Sequence, residues 1–168
     1  MYLPDHEVTL ERLSVTHTEP LLAFERENRE YFAASVSDRG DEFFAEFDAR
    51  LAALLAEQKL GICQFHVLVD TSGAVVGRVN LVDLENGSAE LGYRIAEKAA
   101  GRGLASAAVR AIITMAVAEY GLTMLRARTT YGNLASQAVL TRSGFLPVGE
   151  TIVGQESGPA YELILEEA

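Results

Sequence analysis

The sequence predicts an α+β domain in which about four helices flank a mixed, mostly antiparallel sheet. Three observations predict this class. Two segments with helical spacing of apolar residues precede a run of alternating strands. Short turns join the central strands, as in an antiparallel meander. One long helix then connects two further strands, which makes them a parallel pair. No linker, repeat or low-complexity tract is visible, so residues 1–168 are expected to form a single domain.

The first third of the chain contains one strand and two helices. Residues 8–13 alternate in polarity and are predicted to form a strand. The first helix begins at Thr18-Glu19-Pro20, because proline suits the first helical turn, and it continues to about Phe32. Residues 41–59 carry apolar side chains at helical spacing and form the second helix.

The remaining elements follow from alternation and from turn signals. Strands are predicted at residues 62–70, 75–84 and 88–95, and the last two are joined by Asn86-Gly87, a strong hairpin signal. A helix spans residues 104–120, and Gly121 ends it. A strand at residues 124–130 precedes a short helix at residues 133–143, for which Asn133 is the N-cap. Strands at residues 145–152 and 161–166, separated by a loop at residues 154–159, complete the sheet.

Composition and charge exclude several functional classes. Hydrophobic residues make up 49% of the chain and charged residues 23%, which is typical of a globular protein. The formal net charge of -10 argues against a nucleic-acid partner and suits a cationic one such as an amine, although acidity also serves solubility alone. No apolar stretch predicts membrane insertion, the N-terminal residues show no secretory signal, and the single Cys63 suits a reducing compartment. We therefore expect a cytoplasmic protein.

The most informative segment is a glycine turn, Gly101-Arg102-Gly103, between a strand and the long helix. Glycine lets backbone N–H groups approach a ligand closely, and a helix N-terminus adds unpaired donors and a positive dipole end. Arg102 adds a positive charge. The pattern suits a phosphate, although a tight packing turn would show the same residues. A nucleoside-triphosphate loop and a dinucleotide fingerprint are both absent.

Around this turn the chain resembles the GNAT superfamily of N-acetyltransferases. The run Ala100-Gly101-Arg102-Gly103-Leu104-Ala105 resembles the acetyl-CoA pyrophosphate loop [QR]-x-x-G-x-[GA], except that Ala100 stands at the Gln/Arg position. The strand Ala89-Glu90-Leu91-Gly92-Tyr93 is similar to that of enzymes that modify ribosomal-protein N-termini. Asn133-Leu134-Ala135-Ser136 followed by Arg142-Ser143-Gly144-Phe145 matches N-x-x-S and [KR]-x-G-F. The resemblance is closest to the ribosomal-protein-alanine N-acetyltransferases.

This resemblance implies a parallel pair whose strands splay apart to admit the pantetheine arm of acetyl-CoA, the acetyl donor. It also implies a set of contacts to that donor. Pantetheine would meet the backbone of Tyr93, Arg94 and Ile95; pyrophosphate would meet Gly101, Arg102, Gly103, Leu104 and Ala105; and Asn133 and Arg142 would lie along the CoA tail. The alternatives for the last two residues are a plain N-cap and a solvated helix charge.

The resemblance also implies catalytic roles. Ser136 matches a serine proposed to meet the CoA sulfur, so its hydroxyl could donate a proton. Glu90 is the best candidate to accept a proton from the amine, and a solvated strand glutamate is its alternative. A backbone N–H at a bulge near residues 92–94 could polarise the thioester carbonyl. Leu140 stands where many family members have a tyrosine, and nearby Tyr131 is a substitute to consider.

The first helix offers candidate acceptor residues. Asn28 falls on the buried stripe, with Glu25 one turn earlier, and a polar residue there needs a partner. Asn28 either caps another loop or lines the acceptor pocket together with Glu25. The three histidines share no ligand spacing, so no metal site is expected.

We therefore expect transfer of an acetyl group from acetyl-CoA to a primary amine, in the first place the α-amine of a peptide N-terminus. Two alternatives stay open: a small-molecule amine acceptor, or a catalytically silent module that binds acyl-CoA. A homodimer is compatible with the sequence, and neither nucleic acid nor a membrane is an expected partner.

Overall fold

The computed structural model describes residues 1–166 and contains one eight-stranded sheet. Its strand order is β1-β2-β3-β4-β5-β6-β8-β7, which confirms the predicted α+β class. The first strand was not predicted, because two residues are too few to show a period. The strands are β1 (Tyr2–Leu3), β2 (Val8–Arg12), β3 (Gln64–Asp70), β4 (Val75–Glu85), β5 (Ser88–Ile95), β6 (Met124–Arg128), β7 (Leu146–Val153) and β8 (Glu156–Ile164).

Six α-helices are present among the described residues, because each of the first two predicted helices is broken once. Asn28 and Glu46 leave the helical conformation and divide them. The helices are α1 (Thr18–Glu27), α2 (Arg29–Ala33), α3 (Asp41–Ala45), α4 (Phe47–Leu60), α5 (Leu104–Ala118) and α6 (Leu134–Arg142).

Two hydrophobic cores cover the two faces of the sheet. The first four helices bury Phe24, Phe47 and Leu51 against one face. Helices α5 and α6 bury residues such as Ile112 and Leu140 against the other. Alternation along the strands explains this division, since successive side chains of a strand point to opposite faces.

The parallel pair predicted from the long crossover helix is β5 with β6. Residues 88–90 pair with residues 124–126, and the pairing ends at Glu90 and Arg126. Beyond that point β5 keeps its partner β4, whereas β6 continues beside β8. The two strands therefore splay apart and leave a gap in the middle of the sheet.

The C-terminal hairpin differs from the prediction. Strand β8 begins at Glu156, so the predicted loop at residues 154–159 is mostly strand, and β7 turns directly into β8 at Gly154. Gly158 explains the close packing of this hairpin. A Cβ atom at this position would lie 1.6 Å from the carbonyl oxygen of Thr129, so glycine allows β8 to pass next to the chain that leaves β6.

Two further observations concern residues 1–166. No helix in this part of the chain combines the length and the apolar character needed to cross a membrane. No group of three or more His, Cys, Asp and Glu side chains in it is arranged to hold a metal ion.

Candidate active site

The gap between β5 and β6 exposes backbone groups of β5. The amide of Ala96 donates to the carbonyl of Val76 on β4. Antiparallel hydrogen bonds involve every second residue, so Arg94 also faces β4, while Tyr93 and Ile95 direct their backbone N–H and C=O groups toward the edge that β6 has left. Two of the three predicted pantetheine contacts therefore have their backbone in the gap, and the third contributes its side chain.

A cleft of about 520 Å³ runs from this gap across the glycine turn. It is bounded by the end of β5, the glycine turn with the first turn of α5, one side of α6, and the segment that follows α2. The cleft brings together the predicted catalytic Ser136 and most of the predicted donor-binding residues on one continuous surface. The donor-binding residues in it are Tyr93, Arg94, Ile95, Gly101, Gly103, Leu104, Ala105, Asn133 and Arg142.

The glycine turn has the geometry of an anion cradle. Gly101 and Gly103 have φ angles of 76° and 80°, in the left-handed region that favours glycine. A Cβ atom at Gly101 would meet nothing within 4 Å, so the space in front of the turn is open. The first intrahelical bond of α5 joins the amide of Ala107 to the carbonyl of Gly103. The N–H groups of the three residues between them therefore lack helical partners and can receive a diphosphate.

The side chain of Arg102 lies apart from this cradle. It is exposed, donates a hydrogen bond to the carbonyl of Lys98, and borders a separate surface groove near His6 and Asp70. Within the cleft, only the backbone of the turn reaches the space where a diphosphate fits. The guanidinium therefore contributes to the local positive potential rather than to the lining of the cleft.

Ser136 lies where the large cleft meets a second space of about 150 Å³ between β5 and β6. Asn133 is the N-cap of α6, and its Oδ1 atom accepts a hydrogen bond from the backbone amide of Ser136 at 3.1 Å. This cap holds the first turn of the helix in place. The Ser136 hydroxyl lies 3.1 Å from the hydroxyl of Tyr93 across the gap. Burial raises the pKa of Tyr93, and the hydrogen bond with Ser136 partly offsets this effect.

Glu90 is the last residue of β5 that pairs with β6, at the start of the gap. Its carboxylate forms an ion pair with Arg128, with Oε1 3.1 Å from Nε, and its side chain is 24% exposed. Because side chains alternate along β5, Glu90 lies on the same side as Gly92 and opposite to Tyr93. A Cβ atom at Gly92 would meet nothing within 4 Å, so there is open space two residues from Glu90 on this side, but Glu90 itself lines neither cleft.

Glu25 is only 1% exposed and lies in a cluster of arginines. Its carboxylate contacts Arg78 at 2.8 Å, Arg39 at 3.1 Å and Arg94 at 3.5 Å. Burial raises the pKa of Glu25, but the three guanidinium groups outweigh burial and hold it below its ordinary value. The guanidinium of Arg94 also lies 4.9 Å from the centre of the Phe32 ring. This cluster connects α1 to the cleft wall.

Asn28 has both ends of its side-chain amide bonded within the protein. Its Nδ2 donates to the carbonyl of Phe24, and its Oδ1 accepts from the backbone amide of Glu97 at 3.0 Å. Glu97 opens the short 3-10 turn that leads into the glycine turn. The geometry thus favours the loop-capping alternative for Asn28, and neither Asn28 nor Glu25 lines the large cleft.

Three features differ from the sequence-based hypotheses. Strands β4 and β5 are in regular register over residues 91–95, and the bulge lies in β4 between Val82 and Glu85 rather than near residues 92–94. Tyr131 is half exposed and bonds to Glu150, away from the cleft. The hydroxyl of Tyr93 was not predicted to face Ser136. The sequence contained one signal for this contact, namely the position of Tyr93 on the inward face of β5.

Comparison with known proteins assigns the family. A family model described as an acetyltransferase (GNAT) domain matches residues 7–146. The chain belongs to the GNAT acetyltransferases. This confirms the predicted enzyme class and acetyl-CoA as the acetyl donor. YdaF of Bacillus subtilis (strain 168), provisionally named a ribosomal N-acetyltransferase, is 39% identical over 80 residues, which span 46% of this chain and 44% of YdaF.

Solved structures of GNAT enzymes share the fold over nearly the whole chain. The ribosomal-protein-S5-alanine acetyltransferase from Vibrio fischeri superposes with a TM-score of 0.88 at 21% identity, covering 95% of this chain and 94% of that protein. The spermidine N-acetyltransferase from Vibrio cholerae, solved with CoA and spermine, gives 0.79 at 16% identity, covering 95% and 96%. At these identities the likeness concerns the fold.

Proposed function

We propose that this GNAT enzyme acetylates the α-amine of a protein N-terminus. The observation that carries the proposal is the carboxylate of Glu90 at the end of the β5–β6 pairing, two residues before Gly92, which lines the space between the strands. The similarity to an S5-alanine acetyltransferase and to YdaF supports the same class of acceptor.

Acid–base chemistry favours an α-amine over a lysine side chain. An α-amine has an ordinary pKa of about 7.7–8.0, whereas that of lysine is about 10.4. At pH 7.5 roughly a quarter of an α-amine is already neutral, compared with about one lysine in a thousand. A single carboxylate base is therefore sufficient to deprotonate an α-amine. In the proposed reaction, Glu90 accepts a proton from the amine, and the pair of hydroxyls formed by Ser136 and Tyr93 supplies a proton to the sulfur.

The charges near the opening argue against a polyamine acceptor. Arg94 lines the large cleft, and Arg39 and Arg78 lie behind it around a single buried carboxylate. Arg128 forms the ion pair with Glu90. A ligand with three or four ammonium groups would meet the guanidinium groups of Arg94 and Arg128, which line the two clefts, whereas a single α-amine needs only one acidic partner.

The proposal can be tested with matched peptides. Thiol release from acetyl-CoA is followed with a peptide that begins with alanine or serine, with the same peptide blocked at its α-amine but containing an internal lysine, and with spermidine. We expect rapid thiol release only with the peptide that has a free α-amine. Equal or faster release with the blocked peptide or with spermidine would contradict it.

A further inference from the structure

The hydroxyl groups of Tyr93 and Ser136 form an isolated pair at the junction of the two clefts. They lie 3.1 Å apart, although the residues are 43 positions apart in the sequence. Tyr93 extends from β5 and Ser136 from the first turn of α6, and both residues line the large cleft as well as the space between the strands. Strand β5 and helix α6 therefore meet through these hydroxyls.

The two hydroxyls differ greatly as acids. A phenol has an ordinary pKa of about 10, and a thiol of the cysteine type one of about 8.5. An aliphatic alcohol is a far weaker acid than either. General-acid catalysis is most efficient when the pKa of the acid is close to that of the group it protonates and to the working pH. The ordinary pKa of tyrosine, which burial raises further here, keeps Tyr93 protonated at neutral pH, so it has a proton to give throughout the physiological range.

The hydroxyl of Ser136 is better suited to orient the hydroxyl of Tyr93. The amide of Ser136 donates the capping bond to Asn133 Oδ1, which fixes the backbone from which the Ser136 side chain extends. From that position its O–H can donate to the oxygen of Tyr93. Such a bond strengthens when the phenol becomes a phenolate, because hydrogen bonds to charged acceptors are stronger. This agrees with the lowering effect of Ser136 on the pKa of Tyr93.

We propose that Tyr93 is the acid that protonates the departing thiolate, and that Ser136 is a positioning residue that orients Tyr93 and stabilises its phenolate. This rests on the proposed acetyl transfer. The amine nitrogen forms a bond to the acetyl carbon, and its proton passes to Glu90. The carbon–sulfur bond breaks, its electron pair stays on sulfur, and sulfur takes the proton of Tyr93. Solvent returns a proton to Tyr93 and removes one from Glu90, so both residues are restored for the next reaction cycle.

The kinetic test compares Tyr93→Phe with Ser136→Ala. Tyr93→Phe keeps the ring and removes only the acid, so kcat should fall about 10²-fold or more, while the Kd for acetyl-CoA stays within about twofold. Ser136→Ala should lower kcat by about tenfold. Tyr161→Phe is the matched control, since Tyr161 is buried outside both clefts, and it should retain the wild-type kcat. A larger loss in Ser136→Ala than in Tyr93→Phe would overturn the assignment.

A titration without substrates tests the pair independently. The alkaline ultraviolet difference spectrum of the wild type, minus that of Tyr93→Phe, isolates the ionisation of Tyr93. Its pKa should lie above that of an exposed tyrosine and should rise further in Ser136→Ala, because the hydrogen bond that favours the phenolate is gone. An unchanged pKa of Tyr93 in Ser136→Ala would show that the two hydroxyls are not coupled.

The two proposals fail in different ways. The proposed function would be contradicted if the wild-type enzyme binds acetyl-CoA but none of the peptides with a free α-amine causes thiol release. The role of Tyr93 in this reaction would then fall with it. If the wild-type enzyme is active on α-amines and the Tyr93→Phe variant is fully active as well, only the role of Tyr93 is overturned and the proposed function is supported.

Discussion

The carboxylate of Glu90 lies 3.1 Å from the guanidinium Nε of Arg128, at the position where β5 and β6 lose contact. The ion pair spans the start of the gap, so it holds the carboxylate next to the space in which an acceptor amine can approach. Arg128 is about half exposed, so solvent screens the pair and its contribution to stability is small. Its importance is geometric, because it fixes the position of the carboxylate that we propose as the base.

Replacement of this base should affect the rate more than binding. Glu90→Gln should lower kcat/KM by about 10²-fold or more at neutral pH, because the amine then lacks a general base. The deficit should shrink as the pH rises and more of the α-amine is neutral in solution. Initial rates with an N-terminal alanine peptide between pH 6.5 and 9.5 measure this. A variant with wild-type rates at every pH would exclude Glu90 from the mechanism.

The glycine turn should govern the binding of acetyl-CoA. Gly103→Val places a β-branched side chain at a φ angle of 80° in front of the cradle, and donor binding should be abolished. Gly121→Val is the matched control, because Gly121 has a φ angle of 62° and open surroundings at the far end of α5. Calorimetric titration with acetyl-CoA should separate the two variants. Binding by Gly103→Val within about threefold of the wild type would locate the cradle elsewhere.

A ligand-induced thermal shift provides a second measure of the same turn. Acetyl-CoA at a hundredfold excess over its Kd should stabilise the wild type by about 2.7 kcal/mol and raise its melting temperature accordingly. ATP and NAD should have no comparable effect. Equal shifts with ATP would contradict the specificity for CoA.

Gly92 is a position at which a side chain should obstruct the acceptor more than the donor. Its φ angle is outside the left-handed region and a Cβ atom there would meet nothing within 4 Å, so the fold tolerates a side chain. Gly92→Val should fill the small space between the strands and raise the KM for the acceptor about tenfold or more, an apolar volume effect of the order of 1.4 kcal/mol. Gly92→Ala is the graded control. An equal loss of affinity for acetyl-CoA would show that the donor occupies this space.

The buried His66 should make stability depend on pH. Its Nδ1 lies 3.2 Å from the carbonyl of Val79 and its Nε2 2.6 Å from the hydroxyl of Tyr120. Burial lowers its pKa to about 4, against the effect of the bond to Val79. Below pH 6.5 His66 becomes protonated in the unfolded chain, whereas in the folded chain it stays neutral down to about pH 4. The free energy of unfolding should therefore fall through this window, by about 3 kcal/mol at its acid end.

Urea unfolding between pH 4.5 and 7.5 measures this dependence. Glu25 has a lowered pKa and an ordinary value of 4.5, so its own contribution is lost only below this range. His66→Gln should flatten the profile, and His6→Gln, which removes a histidine near the surface, should leave the slope intact. A profile that is flat in the wild type would contradict the role of His66.

The fold was largely predictable because its signals are local. Alternation, the Asn86-Gly87 turn and the crossover helix each act within a few residues, and they led to the parallel pair and to the cradle at Gly101 and Gly103. Strand β8 was missed at its N-terminal end because a polar, glycine-containing segment has no alternation. Its position depends on the close approach of Gly158 to Thr129, which only the tertiary structure brings about.

The electrostatic part of the site required the structure. The partners of Glu25 lie 14, 53 and 69 positions away in the sequence, and no local pattern connects them. One signal was present: Arg78 interrupts the apolar residues of β4, and a charge in a central strand must have a buried partner. The roles of Glu90 and Ser136 stay predictions.

The break between α1 and α2 has a thermodynamic consequence. The side chain of Asn28, at the break, bonds to the amide of Glu97 just ahead of the glycine turn, and α2 begins at the next residue and borders the large cleft through Phe32. One amide group thus connects the chain that leads into the glycine turn with the helix that lines another wall of the large cleft. Any free energy that a ligand at the turn exchanges with α2 through Asn28 is matched by an equal effect of α2 on binding at the turn, because coupling between two sites is reciprocal. Loss of this one hydrogen bond would therefore change two walls of the cleft together.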